Sequence, residues 1–141
     1  MKKKSVIIVC VILLIWFLLD MTGLYFGNEY LVSQSYKDDG IFFIIYFVVF
    51  ILFVFKEKVG KYLLDAWLFM WFITQFLFHW YSTITGGGLR KLEFFKGSIK
   101  IINSSSRYFP DLYHIVLHIF ILTALVFLNI YIFQVRKKKK Q

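Results

Sequence analysis

Four long apolar runs, parted by polar or basic segments, dominate the chain. The first extends from Val6 to Leu19, is interrupted by Asp20, and resumes at Leu24 to Phe26. The second, Ile41 to Phe55, carries no charged or amide residue. The third, Tyr62 to Tyr81, is broken by Asp65, Thr74, Gln75 and His79, and the fourth, Leu112 to Phe133, holds His114, His118, Thr123 and Asn129. A helix that crosses a bilayer needs about 20 residues. Runs one, three and four meet that, and Lys56 and Lys58 extend the reach of run two by snorkelling. Backbone groups in lipid must pair within their own segment or within a closed barrel. A barrel requires alternating segments of about 10 residues, whereas these runs are continuous, so they read as helices. The pattern predicts an all-α integral membrane protein: one domain, four transmembrane helices in a small bundle, spans over roughly 5–26, 41–58, 62–84 and 110–134, and outer loops 27–40 and 85–109.

Composition agrees. The 141 residues are 60% hydrophobic and 18% charged, against about 45–50% and about 25% in an ordinary soluble domain. A soluble fold this small has no interior for so much apolar surface, which excludes a soluble enzyme and a disordered tail. The single cysteine, Cys10, excludes a disulfide scaffold; inside the first run it reads as a small packed hydrophobe. The first run resembles a secretory signal, but Leu19-Asp20-Met21-Thr22 offers no small-residue cleavage site, so an uncleaved helix is expected.

The net charge of +9 does not point to nucleic acid, because the basic residues flank the apolar runs instead of forming one patch. Such residues set membrane topology. With four spans, eleven of them (Lys2, Lys3, Lys4, Lys56, Lys58, Lys61 and Arg136 to Lys140) fall on one side and six (Lys37, Arg90, Lys91, Lys96, Lys100, Arg107) on the other. Both termini are therefore expected in the cytoplasm of a bacterial cell, the protein sitting multi-pass in the cytoplasmic membrane. The bilayer is the first partner, with acidic lipids at the lysine tail; a membrane-protein partner or a homo-oligomer follows from the small size.

The outer loop 85–109 opens on Gly86-Gly87-Gly88 and mixes Leu92, Phe94, Phe95, Ile99, Ile101 and Ile102 with lysines, so it is expected to lodge in the membrane interface, with a hairpin at Lys96-Gly97-Ser98 as the alternative. Pro110 stands where the fourth span would begin.

Ionisable groups inside spans are costly, about 2.5–3.5 kcal/mol for Asp at a helix centre, so their positions carry information. Asp111, His114 and His118 are spaced three and four apart on one face of span four, and Asn129 returns to that face. Asp65, Gln75, His79 and Ser82 share an arc on span three. The two stripes are expected to face each other, with Asp20 from span one at the same outer depth and Asp65 pairing with Lys61. Span two, without such residues, is expected to face lipid.

Three chemistries suit the cluster. Histidines at i and i+4 form half of a divalent-metal site, zinc for instance, with His79 as a third ligand and Asp111 or Asp20 as a fourth or as a partner that orients a ligand. His79 opposite His114 or His118 suits haem. Titrating histidine and aspartate suit an oligomeric proton or ion conductor. Plain inter-helix hydrogen bonding is the alternative to all three. The glutamate of a zinc-protease His-Glu-x-x-His motif is replaced by Ile115, and no serine is placed beside a base. The expectation is thus a non-enzymatic accessory, partner or immunity-type membrane component, with the intramembrane metal or haem protein and the conductor as alternatives.

Overall fold

The computed structural model describes residues 2–138; Lys139 and Lys140 of the basic tail lie outside them, as do Met1 and Gln141. Most of the chain is helical. The order is α1 (Lys3–Thr22), β1 (Leu24–Phe26), β2 (Glu29–Val32), α2 (Tyr36–Phe55), α3 (Glu57–Gln75), a π-helical turn (Phe76–Tyr81), α4 (Ser82–Thr85), α5 (Leu89–Phe94) and α6 (Leu112–Lys138). Helices α1, α2 and α6 are long and apolar enough to cross a membrane, which makes this a membrane protein in character. Helix α3, with the π turn and α4 prolonging it, packs beside them as the fourth member.

The four long helices run alternately up and down and close a ring in the order α1, α2, α3, α6. Cross-links at each end fix that direction. Lys3 Nζ donates to the Val54 carbonyl at 2.9 Å, and Tyr131 donates to Glu57 at 2.7 Å, which ties both ends of the chain to the α2–α3 turn. At the opposite end Trp16 stacks on Tyr113 at 5.5 Å between ring centroids. The core between them is apolar and aromatic: Leu13, Phe17, Tyr46, Phe53, Leu64, Leu68, Trp71, Leu117, Ile121 and Leu128 are all buried. Cys10 belongs to this core. Tyr46 satisfies its hydroxyl by donating to the Cys10 carbonyl at 2.8 Å, as a buried phenol must.

Several boundaries differ from the sequence reading. The first span ends at Thr22, not Phe26, because Gly23 takes φ 74° and stops the helix. Leu24–Phe26 instead pairs antiparallel with Glu29–Val32, turning through Gly27 at φ 61° and Asn28. The all-α class thus holds for the bundle, with one small hairpin added. Helix α2 starts at Tyr36, five residues before the apolar run, since the amides of Asp38 and Asp39 both bond the Ser35 carbonyl. It ends at Phe55, and Lys58 belongs to α3. The α2–α3 connection is the single residue Lys56, and Gly60 is what permits it: a β-carbon there would lie 2.3 Å from the backbone of Leu52 and Phe53. Helix α6 starts at Leu112, two residues after Pro110, because Asp111 caps it.

Loop 85–109 contains α5 and is tied to the bundle. It is stitched to β2: Tyr30 donates to the Gly97 carbonyl and Ile99 donates back to the Tyr30 carbonyl, each at 3.0 Å. The Tyr30–Ser98 bridge and the Leu112 to Ile99 bond complete a cover over the hairpin end of the bundle.

Candidate functional site

Under that cover lies a cavity of about 480 Å³. Every long helix contributes to it. Asp20 comes from the last turn of α1, Asp38, Asp39 and Phe42 from the start of α2, Thr74 and Gln75 from the end of α3, His79 from the π turn, and His114 from the first turn of α6, with Asp111 capping it. Tyr30, Phe94 and Phe95 close it from the cover. The lining includes four aspartates and two histidines, and no lysine or arginine.

Asp111 is 1% exposed and has two tasks. Its Oδ1 accepts the His114 backbone N–H at 3.0 Å, the N-cap bond of α6. The same oxygen accepts His114 Nδ1–H at 2.7 Å, which fixes the ring and leaves Nε2 as its second nitrogen. His79, 1% exposed, is held by the buried hydroxyl of Tyr108 at 2.5 Å from its Nδ1. Asp20 and Asp39 meet carboxyl to carboxyl across α1 and α2, with the Ser35 hydroxyl against Asp20.

The π turn accounts for His79's position. A π-helical segment adds a residue to the turn and re-aims the side chains beyond it, a feature common at functional sites. The turn's carbonyls find an unusual partner. Lys91 of α5 donates to the Phe78 carbonyl and, at 2.8 Å, to the Ser82 hydroxyl, while its ammonium sits 3.9 Å from the centre of the Phe78 ring. Burial lowers the Lys91 pKa from the ordinary lysine value. Burial pushes the Tyr108 hydroxyl well above the ordinary tyrosine value, and the charge of Asp111 adds to that. Tyr30 shifts the same way, through burial and then Asp111.

Five of the residues singled out from sequence, His79, His114, Asp111, Asp20 and Gln75, meet at the cavity. His79 and His114 lie 4.0 Å apart between ring centroids at 30°, and His79 and His118 lie 6.0 Å apart. His118 turns away from the cavity: its Nδ1–H donates to the His114 carbonyl at 2.6 Å, and Phe72 and Trp80 present edges to its ring. Its Nε2 is buried and makes no hydrogen bond. Asp65 does not pair with Lys61; it accepts from the Asn129 amide at 2.8 Å, far down the α3–α6 seam from the cavity. Helix α2 has the lowest buried share of the three apolar helices.

Among the described residues, no group of three or more His, Cys, Asp or Glu is arranged to hold an ion. His79 and His114 lie with their rings tilted by 30° and their centroids 4.0 Å apart, and the Nδ1 atoms of His79, His114 and His118 each have a hydrogen-bond partner.

Sequence reasoning missed Asp39, Tyr108 and the aromatic cover. Asp39 had a signal: Ser35-Tyr36-Lys37-Asp38 is a Ser-x-x-Asp helix start, which places the next residue on the first turn of α2. Tyr108 had none, since its approach to His79 depends on the course of loop 85–109. Comparison with known proteins returns no match to a family, a curated protein or a solved structure.

Proposed function

We propose that this protein is a four-span component of a bacterial cytoplasmic membrane, with both termini in the cytoplasm. In this reading it is a non-enzymatic accessory or immunity-type component, whose outward cavity recognises a small organic cation, an ammonium or guanidinium. The observation that carries this is the lining: four aspartates without one lysine or arginine, in a recess of about 480 Å³. That volume is the usual size of a small-molecule site, about 300–1,000 Å³. Carboxylates facing a low-dielectric recess concentrate negative potential. The rings of Tyr30, Phe42 and Phe95 in the lining offer cation–π attraction to a ligand inside.

One further feature favours binding over a proton or ion path within a single bundle. Phe17, Tyr46, Leu68 and Trp71 are buried in the core between the α1, α2 and α3 walls, with Phe17 and Trp71 rings 4.6 Å apart, and these side chains offer no carboxylate or imidazole relay toward Asp65.

The test is thermal unfolding of the purified protein against paired ligands: choline, arginine and spermidine, each beside a neutral compound of similar size. A cation should raise the midpoint where its neutral counterpart does not, and Asp39→Asn should weaken the apparent affinity roughly tenfold, the equivalent of about 1.4 kcal/mol. Equal response to cations and neutral compounds would discard the reading.

A further inference from the structure

The α3–α6 seam carries a polar pair on the outside of the bundle. Asp65 Oδ1 accepts from the Asn129 side-chain amide at 2.8 Å, and the same amide nitrogen donates to the Leu125 carbonyl at 3.0 Å. Asn129 is exposed and Asp65 half-buried. At about 1.5 Å per residue, Asp65 stands roughly 12 Å along α3 from Glu57, past a headgroup zone of roughly 5–7 Å. The strip around the pair is apolar and open. Tyr62 and Phe69 on α3, and Leu122, Val126 and Phe133 on α6, are exposed and fall with Asp65 and Asn129 at helical steps of three and four.

A second observation concerns α3 as a whole. It concentrates its apolar residues on one side, whereas α1, α2 and α6 are apolar all round. Helices of the second kind suit lipid on their outer faces. An amphipathic helix inside a bilayer does not, because ionisable groups in spans almost always face protein or a water-filled cavity. Within the chain, Arg136 acts on Asp65 electrostatically, but its Nε donates to the Tyr62 hydroxyl at 3.4 Å. Among the described residues no ion pair joins a cation to Asp65 within 4.0 Å. The two bonds of Asn129 spend its amide donors. The atoms left for an outside partner are therefore acceptors, Asp65 Oδ2 and Asn129 Oδ1.

We infer that the α3–α6 strip docks a transmembrane helix of another chain, one that brings a lysine or arginine to the depth of Asp65. The inference rests on the four-span reading, which puts α3 in the bilayer. A carboxylate beside an amide oxygen calls for a donor with positive charge, and opposite charges within a membrane pair with one another. A second copy of this chain does not supply it. A two-fold axis along the membrane normal sets equal depths opposite each other, so Asp65 would meet Asp65. The exposed rings of Phe69 and Phe133 flank the pair and give a partner helix apolar surface to pack on.

Leucine-based transmembrane peptides, reconstituted with the full chain in lipid nanodiscs, test this by energy transfer. The peptides differ at one position, set at the depth of Asp65: lysine, leucine or glutamate. The lysine peptide should associate roughly tenfold more tightly than the leucine peptide, and the glutamate peptide no better than leucine. Asp65→Asn should remove that preference while keeping an acceptor for Asn129. Cross-linking keeps the test valid if Asp65→Asn fails to fold. A cysteine on the lysine peptide should be trapped by Phe133→Cys, on the strip, and not by Ile44→Cys, 61% exposed on α2. Cys10 is buried and does not compete. Equal association of the three peptides, or equal trapping at the two positions, overturns the inference. So does a disulfide between two Phe133→Cys chains, which assigns the strip to a second copy. Reporters at Lys58 and Ser104 decide separately whether α3 crosses, so a failed crossing and a failed docking are told apart.

Discussion

Asp111 Oδ1 receives two hydrogen bonds from a single residue, the backbone N–H of His114 at 3.0 Å and its ring Nδ1–H at 2.7 Å. One oxygen thereby starts helix α6 and orients an imidazole toward the cavity. The two tasks are separable. Asp111→Asn retains an acceptor for the N-cap bond but removes the charge that faces His114. Asp111→Ala removes both.

Asp111→Ala should therefore lower stability by the cap term, about 1 kcal/mol, plus the loss of a charge-assisted bond, about 1.5–3 kcal/mol. Asp111→Asn should fall between it and the wild type. Chemical unfolding in detergent measures both. Equal stability of the alanine variant and the wild type would mean that the cap is not formed.

Tyr108 is 0% exposed and its hydroxyl meets His79. Tyr108→Phe should cost about 1–3 kcal/mol, because it strands a polar atom of His79 in a buried place. The pH dependence has a definite sign. The folded-state pKa of Tyr108 is raised above the unfolded value, so folding holds its proton more tightly. Its contribution is complete below about pH 10, the unfolded tyrosine value, and declines as pH rises beyond it. The stability gap between wild type and Tyr108→Phe should thus be constant from neutral pH to about 9 and shrink above about 10. A gap that shrinks on acidification from neutral pH instead would contradict this.

Residue by residue, the sequence was a good guide where one segment decided the outcome. The apolar runs found all four long helices, and spacing brought His79 and His114 to one site. The hairpin was written in Phe26-Gly27-Asn28-Glu29, a two-residue Gly-Asn turn between short apolar pieces. It was hidden because Leu24–Phe26 also continues the first apolar run. Asp65 illustrates a different limit. Lys61 is its neighbour one helical turn away in sequence, but the α3–α6 seam brings Asn129 to it, and a contact between helices is not visible in the periodicity of one. The partners of the histidine rings were hidden for a similar reason. Helical phase gives the face on which a histidine lies, not which ring nitrogen is taken by a neighbour.

Two glycines in the long helices give opposite expectations. Gly60→Ala would force a β-carbon to 2.3 Å from the Leu52–Phe53 backbone, which has no flexible side chain to yield. Overpacking commonly costs about 1–3 kcal/mol, and a backbone clash belongs at or above the top of that range. Gly40, within α2, has nothing within 4 Å of such a carbon. Gly40→Ala should stabilise by about 0.4–1 kcal/mol through lower unfolded-state entropy. Unfolding midpoints of the two variants, measured side by side, should move in opposite directions; a neutral Gly60→Ala would refute the close α2–α3 approach.

The sidedness of the protein makes the last prediction. Lys3, Lys56, Lys58, Lys61 and Arg136 to Lys138 gather at one end of the bundle, and the acidic cavity and its cover at the other. The cytoplasmic side of a membrane protein retains lysine and arginine in short segments next to the spans. A reporter joined after the last residue should then be active only in the cytoplasm, and one inserted at Ser104, in the cover beside the exposed Ser105, only outside. Helix α3 supplies the internal check, for it is more polar than its three neighbours, with Glu57, Lys58, Lys61 and Asp65 in its first half. If α3 crosses, reporters at Lys58 and Ser104 report opposite sides. If both report one side, the chain has three crossings, the basic end cannot lie wholly inside, and the outward cavity loses its assignment.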